Sequence, residues 1–241
     1  MRIQRALARA GVASRRRADE LVAAGRVRVN GQIAQIGQSV DPAHDAITVD
    51  GSAVAAPPAV VWFVLNKPAG VLTTRGGAGG RQTVFDLVPE TPGLTYVGRL
   101  DFMTEGLLLL TTDGAAAHRL THPSRSVERT YVATVRGNAM AAARAARAGV
   151  ELDDGPVRPV EVVARPAGQR RWEFEVTLAE GRTREVRRLC EAVGLEVERL
   201  VRTRFGPVSL GALATGARRG LSAIERRAIQ TITAEGTWRP Q

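Results

Sequence analysis

Between residues 53 and 59 the chain reads Ala-Val-Ala-Ala-Pro-Pro-Ala, and this break constrains the fold more than any other feature. Small residues around paired prolines make an extended spacer and cannot continue a helix or a central strand. One core running through it is not expected. The sequence predicts a small domain over residues 1–52, a linker over 53–59 and a large domain over 60–241.

The small domain carries local signals in the order helix, helix, strand. Ile3, Leu7 and Ala10 fall at helical spacing, and Gly11 stops that helix. Ser14 is a natural N-cap for a second helix over Arg15 to Ala24, with Leu21 and Val22 inward and Gly25 at its end. Arg26 to Val29 reads as a strand, and Asn30-Gly31 is a hairpin turn. Strands are expected over Ile33 to Gly37 and Ile47 to Val49, followed by a turn at Asp50-Gly51.

The large domain mixes strands and helices without regular βαβ spacing. Val60 to Leu65 predicts a buried strand stopped by Asn66-Lys67-Pro68, and Gly76 to Gly80 a loop. Strands are also expected at Leu107–Leu110, Tyr131–Val135 and Trp172–Leu178. Helices are expected over Ala115–Leu120, over Arg184–Val193 with Gly194 as its cap, and after the capping box Ser222-Ala223-Ile224-Glu225. The class is α+β with a mixed, mainly antiparallel sheet.

Charge narrows the partners. The chain has 34 basic against 24 acidic residues, for a formal net charge of +10, and Lys67 is its single lysine. Such an excess favours a polyanion, and arginine binds phosphate with a planar fork. Arg15, Arg16 and Arg17 sit at a helix N-terminus, where cations oppose the macrodipole; phosphate binding would explain a placement that stability does not favour. No apolar run approaches the ~18 residues of a membrane span, and the first residues lack a signal-peptide core. One cysteine, Cys190, excludes an internal disulfide, so a cytoplasmic protein is expected.

Three segments carry chemistry. Gly98-Arg99-Leu100-Asp101 precedes an apolar strand, and a carboxylate beside a guanidinium stays ionised and aimed. Glu128-Arg129-Thr130-Tyr131 and Glu180-Gly181-Arg182-Thr183-Arg184-Glu185-Val186-Arg187-Arg188 follow. Arg184, Arg187 and Arg188 would share a helix face, where like charges repel unless an anion joins them. An aspartate in a turn is more often structural than catalytic, so no segment decides alone. His118 and His122 have the spacing of a helical zinc pair, but Pro123 follows and no third ligand is suitably placed, so no metal is expected.

In combination these segments resemble the pseudouridine synthases of the RsuA/RluB type over nearly the whole chain. The likeness lies in Asn66-Lys67-Pro68-Ala69-Gly70, Thr83-Val84-Phe85-Asp86, Gly98 to Asp101 and Glu180 to Leu189. Residues 149–156 resemble the large-subunit branch more than the small-subunit one. Ala8 to Gly11 and Gly25 to Gly31 resemble the small RNA-binding domain shared with ribosomal protein S-four. The resemblance implies a pseudouridine synthase catalytic domain joined to that RNA-binding domain, acting on ribosomal RNA of the large subunit as a monomer, with no cofactor. It implies Asp101 as nucleophile, Tyr131 stacked on the target base, Arg187 paired with Asp101, and Arg99 holding the flipped nucleotide. Contacts to RNA are expected from Arg15, Arg16, Arg17, Arg26, Arg28, Arg99, Arg129, Arg182, Arg184 and Arg188. Arg129 stands where the family more often has lysine, and Thr183 where asparagine is common. The alternative is a non-catalytic RNA-binding or ribosome-assembly factor on the same scaffold.

Overall fold

The computed structural model describes residues 1–55, 59–76, 79–168 and 170–235. Part of the expected linker (56–58) and part of the expected glycine loop (77–78) lie outside the described residues. The chain divides into two compact units. The smaller holds Met1–Val61 with Glu90–Thr95 and Thr111–Gly114; the larger holds the rest.

In the smaller unit, helices α1 (Ile3–Arg9) and α2 (Arg15–Ala23) precede strands β1 (Val27–Val29), β2 (Gln32–Ile33), β3 (Ile47–Val49) and β4 (Ser52–Ala53). The Ser14 side chain accepts from Arg17 N, capping α2. Asn30 and Gly31 both have positive φ, the geometry of the tight hairpin their sequence announces, and β1 pairs with β2 across them. Ile3, Leu7, Ala18, Leu21, Val22 and Val27 close a separate small core. The strand expected over Ile33–Gly37 ends at Ile33. Gln38 N donates to Gln35 O at 3.0 Å, and Gly37 has φ +75°, so the chain turns there instead of extending.

The larger unit is a mixed sheet flanked by helices. Its elements are β5 (Trp62–Lys67), β6 (Thr95–Val97), β7 (Glu105–Thr111), α3 (Gly114–Thr121), β8 (Arg129–Arg136), α4 (Ala139–Ala148), β9 (Val150–Leu152), β10 (Gly155–Val157) and β11 (Glu161–Pro166). They continue with β12 (Trp172–Leu178), α5 (Glu185–Ala192), β13 (Glu196–Phe205), β14 (Val208–Ser209), β15 (Arg218–Arg219) and α6 (Ala223–Glu235). The order across the sheet is β11-β12-β8-β13-β7-β5-β15. The β11–β12, β12–β8, β8–β13 and β5–β15 ladders are antiparallel, and β13 pairs with β7 in parallel. Leu107, Leu109, Ala117 and Phe205 fill one core. Ala142, Ala146, Phe174 and Leu189 fill another.

Three expectations are corrected here. The strand placed at Val60–Leu65 starts at Trp62 and runs on through Lys67, because Asn66 and Lys67 are buried polar residues with partners inside the fold. The helix placed at Arg184–Val193 begins at Glu185, with Arg184 as a left-handed N-cap, φ +51°. Arg184 therefore does not share a helix face with Arg187 and Arg188.

Candidate active site

Asp101 stands in the turn between β6 and β7, and that turn is held from below. Thr104 N donates to Asp101 O at 3.0 Å, and Gly70 N to Phe102 O at 2.9 Å. Thr73 Oγ1 donates to Leu100 O at 2.9 Å. Lys67, wholly buried at the end of β5, donates from Nζ to Pro68 O (2.9 Å), Phe102 O (3.2 Å) and Thr104 O (2.8 Å). Burial pulls its pKa down to about 8, opposed by the Asp101 and Glu105 carboxylates. It thus remains an ammonium at neutral pH, with three N–H donors for three carbonyls. The Asp101 carboxylate is half-buried and makes no hydrogen bond or ion pair among the described residues.

A cavity of about 180 Å³ opens beside this turn. One water needs only ~10–15 Å³ on this measure, so the space suits a larger ligand. Strand alternation places Arg129 and Tyr131 of β8 on one face, two residues apart; both line the cavity. From β13 comes Arg202. Opposite Arg202 in the β7 ladder is Gly106, with φ +99°. A Cβ there would meet Arg202 O at 2.3 Å, so only glycine lets the two strands approach this closely.

Of the residues singled out in the sequence, Asp101, Tyr131, Arg99, Arg129, Arg182 and Arg184 come together around this cavity. Arg187 and Arg188 are not among its lining residues. The expected pairing of Arg187 with Asp101 is not made: Arg187 sits in the first turn of α5 and its Nη2 donates to Met103 O at 3.3 Å. Arg188 grips Asp154 with two bonds of 2.8 Å, which hold that carboxyl down at about 2. Arg182 is spent on Glu180 and on the carbonyls of Gly155 and Pro156. Arg15, Arg16, Arg17, Arg26 and Arg28 belong to the smaller unit and are exposed. There Arg26 pairs with Asp50, Arg28 donates to Gly31 O, and Arg17 pairs with Glu20. Cys190 is buried, and burial pushes its thiol up to about 12, which makes it a packing residue.

Sequence reasoning gave no role to Lys67, Arg202 or Glu185. Glu185 is 4% exposed and lines the cavity. A carboxylate at a helix N-terminus gains only ~0.3–1 kcal/mol from the macrodipole. Burial outweighs that and raises its pKa to about 7, with neighbouring Glu180 adding to the rise. A carboxyl whose folded pKa lies above its unfolded value supports stability below the unfolded value, and that support is lost as pH rises. Here the window runs from 4.5 to about 7. Glu185→Gln should therefore match the wild type at pH 4.5 and be more stable at pH 8, by up to about 3 kcal/mol. Thermal unfolding at the two pH values reads this directly, and an equal difference at both would exclude it.

A family model described as RNA pseudouridylate synthase matches residues 61–192, and an S4 domain model matches residues 1–47. An uncharacterized RNA pseudouridine synthase of Mycobacterium tuberculosis (strain ATCC 25618 / H37Rv) is 45% identical over 231 residues, 93% of this chain and 91% of that one. Ribosomal large subunit pseudouridine synthase B of Escherichia coli O157:H7 is 45% identical over 218 residues, 87% of this chain and 75% of that one. A crystal structure of pseudouridylate synthase superposes with TM-score 0.64 at 27% identity, covering 96% of this chain and 99% of that one.

Proposed function

We propose that this chain, which belongs to the RNA pseudouridylate synthase family, makes pseudouridine in large-subunit ribosomal RNA with Asp101 as its nucleophile. Membership makes it an isomerase that acts on RNA. The large-subunit substrate is supported by relatives named for that activity at 45% identity.

The observation that carries the role of Asp101 is its setting. Its backbone is fixed by Lys67, Thr73 and Gly70, its carboxylate is uncommitted, and it lines a cavity with Tyr131 and five arginines. The reaction breaks the bond between ribose C1′ and uracil N1 and forms one between C1′ and C5. C5 loses a proton and N1 gains one, so no oxidant, metal or external energy is consumed. Swinging the uridine out of its stack costs a few kcal/mol, which phosphate contacts and stacking on Tyr131 offset. No helix among the described residues is long and apolar enough to cross a membrane, and we place the protein in the cytoplasm with the ribosomal RNA.

The purified protein should release tritium from ribosomal RNA labelled at uridine C5, since that hydrogen leaves when C5 is rejoined to the ribose. Retention of all the label would refute an isomerase role. The smaller unit supplies affinity. Arg15 and Arg16 are exposed, and no ion pair or hydrogen bond occupies their side chains among the described residues. Arg15→Gln with Arg16→Gln should weaken RNA binding and flatten the plot of log K against log salt by about 0.7–0.9 per lost phosphate contact. An unchanged slope would remove these two from the interface.

A further inference from the structure

We propose that Arg129 and Arg202 form a phosphate-binding subsite of the cavity, and that it takes a backbone phosphodiester of the RNA beside the target uridine. The choice of RNA as occupant rests on the proposed function; the phosphate chemistry does not.

Both side chains are nearly out of water, Arg129 at 8% and Arg202 at 2% exposure, and both line the cavity. Neither has an ion pair among the described residues. Among the described residues the Arg202 side chain makes one hydrogen bond, from Nε to Leu107 O at 2.8 Å, and its buried Nη2 has no partner. The Arg129 guanidinium makes no hydrogen bond among the described residues. Both groups lie against the same ring: each Cζ is 5.2 Å from the Phe205 centroid.

This arrangement is costly without an anion. Removing an ion from water costs several kcal/mol even after relaxation, while a cation–π contact returns ~0.5–2 kcal/mol. The two cations also disfavour each other: the Arg129 pKa is lowered, first by burial and also by Arg202, against opposing pulls from Tyr131, Glu185 and Glu180. Local carboxylates offset the charge only in part. Glu180 is held by Arg182, and Glu185, which accepts from Arg182 N, is pushed up to about 7. Among the described residues Asp101 is the one other acid lining the cavity, against Arg99, Arg129, Arg184 and Arg202, Arg182 being paired with Glu180. A phosphodiester brings one negative charge and two equivalent oxygens, the shape a guanidinium fork binds best.

The test uses the full chain and two probes. Inorganic phosphate, titrated in low chloride and read by calorimetry, should bind the wild type at least tenfold more tightly than Arg129→Met or Arg202→Met. Arg129→Met removes a side chain without hydrogen bonds, so it decides the matter if the Arg202 variant does not fold. Equal phosphate affinity in wild type and Arg129→Met overturns the proposal. The second probe separates RNA from free phosphate. A single-stranded oligonucleotide with one uridine should displace phosphate at least tenfold better than the same strand with uncharged methylphosphonates on both sides of that uridine. Equal displacement by the two strands overturns the assignment to RNA. Phosphate affinity is read without turnover, so this proposal and the role of Asp101 can fail separately.

Discussion

Replacing Asp101 by asparagine should lower pseudouridine formation by about 10³–10⁴-fold and leave RNA affinity within about twofold. Asparagine keeps the size of the side chain and removes its charge and nucleophilicity. The carboxylate makes no hydrogen bond or ion pair among the described residues, and the turn is held through backbone carbonyls at Leu100, Phe102 and Thr104. Thermal stability should therefore change little, which separates lost chemistry from lost structure. Tritium release by the variant at the wild-type rate would show that another group attacks.

The second large effect is expected at Lys67. Lys67→Met fills much the same volume but removes the one cation bonded to Pro68 O, Phe102 O and Thr104 O. Hydrogen bonds to a charged group contribute ~1.5–3 kcal/mol each, and stranded acceptors add their own desolvation cost. Allowing for relaxation, a loss of about 3–5 kcal/mol is expected, which is a large share of a domain's ~5–15 kcal/mol stability. Activity should fall by at least about 100-fold even at temperatures where the variant is folded, because Asp101 rides on the loosened turn. Urea unfolding and product formation at 15 °C measure the two effects separately. Wild-type turnover in a folded Lys67→Met variant would mean that the turn does not need this anchor.

What was legible in the sequence was local. Asn30-Gly31 requires positive φ at both positions, Ser14 caps the helix that follows it, and Ser222 with Glu225 closes a capping box; each is fixed within four residues. The motif around Asp101 and the segment around Tyr131 stood out because each is a contiguous run, and both residues line the cavity. Strand β13 was not expected. Glu196 to Phe205 carries five charged residues, which reads as a solvated stretch, yet it pairs with β8 and β7 on its two sides. The burial of Arg202 is created by those non-local pairings, so no window around it could reveal it. Helix α4 was missed although Ala139, Ala142, Ala143 and Ala146 recur at helical spacing and are buried while Arg144 and Arg147 are exposed. The Arg187–Asp101 pair is not made because Arg187 donates to Met103 O, a contact 84 residues away in sequence that no local window shows.

The central claim is that this chain makes pseudouridine in large-subunit ribosomal RNA. Pseudouridines mapped at nucleotide resolution in ribosomal RNA from cells with and without the protein test it most directly. The expected result is loss of modification at a large-subunit uridine, restored by the wild-type chain and not by Asp101→Asn. An identical large-subunit map in both cells would contradict it.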